Sequence, residues 1–143
     1  MADYAKVKGR QGKKRKQLEQ AVNGNTWTAL RHDVVKSPEF INLSLSAKWV
    51  FIRLVADYDR KNNGDLSAPQ NKAKEIFNLS SRGLKVALDE LISAGFLEVT
   101  RIGGKNHCSL YALTCYPINN IQKTGLALIE KHKPTDNWKT TNS

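Results

Sequence analysis

The residues of this chain best suited to chemistry are cations, and their spacing suits phosphate binding better than catalysis. Lys13-Lys14-Arg15-Lys16 is an unbroken basic run. Laid along a nucleic-acid backbone, such residues displace condensed counterions. The plain alternative is a charge run that keeps the chain in solution. A second set shares one predicted helix, capped by Ser80 or Ser81. With Leu84, Leu88 and Leu91 turned inward, its first turns present Ser81, Arg82, Lys85, Val86 and Asp89 on the opposite face. Arg82 suits the O6 and N7 of guanine, Lys85 a phosphate or a guanine, and the helix N-terminus a phosphate. Taken alone, this is equally a solvated face with two cations. A third set, Arg101, Lys105, Asn106 and His107, surrounds a glycine turn between two predicted strands. It serves either to contact nucleic acid or to blunt an exposed sheet edge.

Catalytic groupings are thin. His32-Asp33 and Asp57–Asp59 lie near turns with no nucleophile to pair with. Gly9–Lys16 lacks the spacing of a phosphate-cradling loop, and no dinucleotide fingerprint follows a strand. His107-Cys108 has no second pair to complete a zinc site. The acids are scattered, where a metal-dependent nuclease clusters them. The expectation is a protein that is not an enzyme and needs no cofactor or metal.

The 143 residues hold 23 Lys and Arg against 13 Asp and Glu, a net charge of +10. Residues 1–20 hold seven cations against two acids, so +5, half the excess, sits on one end. With 40% hydrophobic and 25% charged residues, the mix is that of one globular domain with tails. Apolar runs such as Trp49-Val50-Phe51-Ile52 fall far short of the ~20 residues a membrane span needs. No apolar stretch follows the basic N-terminus as in a secretory signal. Cys108 and Cys115, an odd number of residues apart on one predicted strand, point to opposite faces. A reduced, cytoplasmic protein is expected.

The elements that must position these groups read clearly in the middle of the chain. Residues 1–26 form a flexible basic arm with a short helix over Lys14–Val22. Ser37-Pro38 starts one helix and Ser44 a stronger one. In the latter Ala47, Val50, Phe51, Leu54, Val55 and Tyr58 make a single apolar stripe. Asn62-Asn63-Gly64-Asp65 is a turn and Leu66-Ser67-Ala68 a short strand. Gln70–Phe77 is helical, Asn78-Leu79-Ser80 a tight turn, and the second helix runs to about Ala94, with Gly95 as its left-handed cap. Strands follow at Phe96–Ile102 and Cys108–Thr114, joined through Gly103-Gly104-Lys105-Asn106. Thr124–His132 reads as a last helix. The tail Lys133–Ser143 is polar apart from Trp138, which either docks on its own domain or serves as a partner motif.

Residues Asn71–Thr114 resemble a winged helix-turn-helix domain. The run Ala73-Lys74-Glu75-Ile76-Phe77-Asn78-Leu79-Ser80, then Leu84 to Leu91, then Ser93-Ala94-Gly95-Phe96-Leu97, carries the likeness. Asn62-Asn63-Gly64-Asp65-Leu66, Arg101-Ile102-Gly103-Gly104 and Leu110-Tyr111-Ala112-Leu113-Thr114 resemble, more narrowly, small helix-turn-helix proteins of phages, plasmids and integrated elements. The likeness spans Leu30–Ile118. It departs from the regulator pattern in Gly83, early in the second helix, and in lacking a long dimerisation helix.

The resemblance implies an α+β, mainly helical fold with a two- to three-stranded antiparallel wing sheet. The domain occupies residues 27–118, and a short helix and polar tail occupy 119–143. It also implies binding of double-stranded DNA through Ser80, Ser81, Arg82, Lys85, Val86 and Asp89 on the recognition helix. Arg101, Lys105, Asn106 and His107 contact DNA from the wing, and Lys13, Lys14, Arg15 and Lys16 from the arm. The expected role is a transcriptional regulator, with an origin-binding replication accessory as the alternative and a protein-interaction module as the rival. Expected partners are DNA, a second copy of the chain, and a replication or transcription protein reached through Trp138.

Overall fold

Side-chain caps decide where the principal helices of this computed structural model begin. It describes residues 27–139 together with Lys14, Lys16, Gln17 and Gln20. Helix α1 (His32–Val35) has no side-chain cap. Ser37 caps α2 (Pro38–Ile41) by accepting from Phe40 N, with Pro38 at the first helical position. Ser44 caps α3 (Leu45–Asp57) by accepting from Ala47 N. After strand β1 (Leu66–Ser67), a 3-10 turn at Gln70–Lys72 leads into α4 (Ala73–Phe77). Asn78, left-handed at φ 55°, ends α4. Two residues later Ser80 caps α5 (Ser81–Ser93) by accepting from Gly83 N. A Cβ on Gly83 would stand 3.1 Å from the Ser80 Oγ, a close contact beside the cap.

The C-terminal end of α5 is closed by a paired-hydrogen-bond cap. Phe96 N donates to Leu91 O and Gly95 N to Ile92 O, with Gly95 at φ 85°. The chain then enters β2 (Leu97–Arg101) and returns in β3 (Leu110–Leu113). With β1 they form a three-stranded antiparallel sheet in the order β1-β3-β2. A bulge between Val99 and Arg101 accompanies a hydrogen bond from Thr100 Oγ1 to Gly64 O. The architecture is α+β, with helices followed by small antiparallel sheets.

The apolar stripes of α3 and α5 meet in one core. Ala47, Val50, Phe51, Leu54, Leu84, Ala87 and Leu91 are all at most 1% exposed. Phe40, Phe51 and Phe96 pack edge to face, with centroids 5.2 to 5.9 Å apart. Such pairs contribute roughly 0.5–1.5 kcal/mol each beyond their buried area.

The chain beyond residue 118 corrects one expectation. Thr124–His132 is not a helix. A hairpin of β4 (Ile121–Lys123) and β5 (Leu126–Leu128) turns through Thr124-Gly125, with Gly125 at φ 76°. Alternation wins over helix because Leu126 is buried while its neighbours Gly125 and Ala127 are exposed. The segment after it is polar in composition but packed at one point. Trp138 is 4% exposed and stacks on Phe96, with centroids 5.7 Å apart and planes 7° from parallel. Its Nε1 donates to Asp136 Oδ1, which also accepts from Arg31 Nη1 at 2.7 Å. Of the two readings of Trp138, docking on its own domain is the one observed.

Candidate nucleic-acid interface

The solvent face of α5 is laid out as the stripe requires. Ser81, Arg82, Lys85, Val86 and Asp89 are exposed, while Leu84, Leu88 and Leu91 are buried. Their chemistry is less uniform than their exposure. Ser80 Oγ is occupied by the cap, and Ser81 Oγ donates to Gln70 O at 3.1 Å. Both hydroxyls therefore position the helix. Lys85 Nζ lies 3.0 Å from Asp89 Oδ2, an exposed pair one turn apart. Arg82 has no ion-pair partner among the described residues, and Val86 is 57% exposed beside it.

The β2–β3 hairpin packs against α5 through β2. Tyr111 on β3 is buried, and Asp89 and Lys85 on α5 are close enough to act electrostatically on its hydroxyl. Burial raises this phenol above its ordinary value, so it stays neutral. At the hairpin tip Gly104 and His107 exchange backbone hydrogen bonds, and Asn106 takes φ 85°. Lys105, Asn106 and His107 are exposed, as is Ile102 at 82%.

Arg101 is placed differently from its three neighbours. Its Nη1 donates to Thr124 O at 2.9 Å and its Nη2 to Cys108 O at 3.0 Å, while its Nε is buried without a partner. The guanidinium ties the hairpin to the β4–β5 turn. In the arm, Lys14 and Lys16 are helical and exposed; Lys13 and Arg15, and most of the helix expected over Lys14–Val22, lie outside the described residues.

Two further cations were not singled out from the sequence. Lys72 and Lys74 are exposed on the 3-10 turn and on α4, both of which pack against α5. In the sequence this segment is marked by its inward residues, Ala73, Ile76 and Phe77. The hydrogen bond from Ser81 to Gln70, invisible in sequence, is what holds the turn carrying Lys72 beside the start of α5.

The two cysteines flank β3 rather than sharing it; Cys108 is exposed, Cys115 is buried, and both are free. Among the described residues no cluster of His, Cys, Asp and Glu is arranged to hold a metal ion, and no helix is long and apolar enough to cross a membrane. No protein-family model, curated protein or solved structure matches this chain.

Proposed function

We propose that this chain is a winged helix-turn-helix protein that binds double-stranded DNA, with α5 as its reading helix and the β2–β3 hairpin as its wing. The observation that carries the reading is the adjacency of the two parts. α5 packs against β2, the first strand of the hairpin, so one DNA surface can touch both. Arg82, on the first turn of α5, is the residue for base contact, and Val86 next to it offers an apolar surface to a thymine methyl group. Lys72, Lys74 and Lys105 flank that face as phosphate contacts, and the basic arm adds sequence-independent affinity. The role proposed is a regulator that acts by occupying an operator.

The test is selection of bound duplexes from a random library by the full chain at near-physiological salt. A recovered inverted repeat supports a symmetric dimer and the regulator role. Tandem direct repeats would shift the role to origin marking. Recovery of no motif, with binding abolished by deleting residues 1–16, overturns the assignment of α5 and turns attention to protein partners.

A further inference from the structure

On the molecule there is also a cavity of about 340 Å³ lined by Trp27, Thr28, Ala29, Tyr58, Arg60 and Tyr116. That volume lies at the small end of ligand-binding pockets. Its walls are mostly aromatic. Tyr58 and Tyr116 pack with centroids 4.6 Å apart at 32°. Burial raises the pKa of both phenols, so neither carries charge near neutral pH. Their surroundings are fixed: Tyr116 Oη donates to Ala29 O, and Thr28 Oγ1 donates to Tyr58 O. Trp27 Nε1 is shielded from solvent with no hydrogen-bond partner.

One charge borders the cavity without compensation. The Arg60 guanidinium is exposed, has no ion-pair partner among the described residues, and is close enough to act electrostatically on the Tyr58 hydroxyl. The adjacent acid, Asp59, has its Oδ1 engaged by Lys61 N at 2.8 Å. Arg60 also sits at φ 74°, a backbone conformation unfavourable to a long side chain. A residue that suited the turn alone would be Gly or Asn.

We infer that this cavity binds a small planar aromatic carboxylate, its ring packed among Trp27, Tyr58 and Tyr116 and its carboxylate paired with Arg60. Aromatic walls favour a flat ring by stacking and edge contacts. A guanidinium matches a carboxylate with two parallel hydrogen bonds. None of the lining residues belongs to α5 or the β2–β3 hairpin, so the inference stands apart from the DNA reading. Trp27 directly follows the basic arm in sequence.

The experiment is calorimetric titration of the full chain with 2-naphthoate, and with uncharged 2-naphthamide as the matched probe. Saturable binding of one naphthoate per chain is expected, about tenfold or more tighter than the amide. Arg60→Gly suits the backbone at that position, so the chain folds, and it should erase the difference between the two probes. Ala29→Leu fills the cavity and should weaken both. Absence of saturable naphthoate binding, equal affinity for the two probes, or parental naphthoate affinity in either variant overturns the inference.

Discussion

Asn63 engages both backbone groups of Leu113. Its Oδ1 accepts from Leu113 N at 2.7 Å, and its Nδ2 donates to Leu113 O at 2.9 Å. The same Nδ2 also donates to Tyr116 O and Pro117 O. The side chain is 0% exposed and extends the pairing of β3 past the end of β1. Asn63→Asp would bring a carboxylate against three carbonyls in place of their donor. It should lower the unfolding free energy by more than about 3 kcal/mol. Asn63→Ala should cost about 1–3 kcal/mol. Urea titrations of the three chains check the order; a neutral Asn63→Asp change would sink the argument.

For DNA, Arg82 and Asp89 should act in opposite directions. Arg82→Ala should cost roughly 1–3 kcal/mol at the selected site and relax preference at one base pair. Asp89→Asn releases Lys85 and removes a like charge from the phosphates, so it should tighten binding to every duplex. Deleting residues 1–16 should weaken all duplexes about equally and flatten the salt dependence. Gel-shift titrations at two salt concentrations separate these outcomes. If Arg82→Ala binds the selected site as tightly as the parent, α5 is not the reading helix.

Trp138→Ala removes a ring stacked on Phe96 at the edge of the core. A loss of about 3–5 kcal/mol is expected from buried aromatic truncation. The thermal midpoint is the measurement, and a shift of a degree or less would contradict the packing described.

Acid should weaken the fold partly through Asp33. The Arg31 guanidinium, hydrogen-bonded at 2.6 and 3.0 Å, holds this carboxyl below its ordinary value of 3.8. A carboxyl with a lower value folded than unfolded contributes stability that is complete above the unfolded value. That contribution disappears as pH falls through the folded one. Urea midpoints measured from neutral pH down through this range should fall less steeply in Asp33→Asn than in the parent. Identical slopes would remove Asp33 from the account.

Burial pushes the Cys115 thiol up to about 12, whereas Cys108 is exposed. A disulfide reagent at about pH 8 should therefore titrate one thiol in the folded chain and two after denaturation. Two fast thiols in the folded protein would mean that the segment after β3 opens.

What was legible in the sequence followed from period and caps. The stripe from Ala47 to Tyr58, the stripe from Leu84 to Leu91, and Ser37, Ser44 and Gly95 all act locally, so a window of a few residues contains their physics. The β4–β5 hairpin was not legible because Leu126 and Ile129, three residues apart, are equally compatible with one helical face. Gly125, at the turn between two three-residue strands, was the available sign of a hairpin. Asn63 looked like one more polar turn residue; only the distant arrival of β3 makes it a buried clamp. For the candidate site, exposure on α5 was readable from the stripe. The engagement of Ser81 by Gln70, of Lys85 by Asp89 and of Arg101 by Thr124 depends on rotamers and on chain segments up to 23 residues away.

The contact between Phe96 and Trp138 has a consequence for synthesis. Arg31, Phe96 and Asp136–Trp138 close the core jointly, although they are far apart in the order of translation. A ribosome that has not yet released residue 138 holds a nascent chain whose Phe96 face is open. Such intermediates invite chaperones and proteases. A frameshift downstream of the β2–β3 hairpin should therefore lower the cellular level of the protein, even though every proposed DNA contact lies upstream of it.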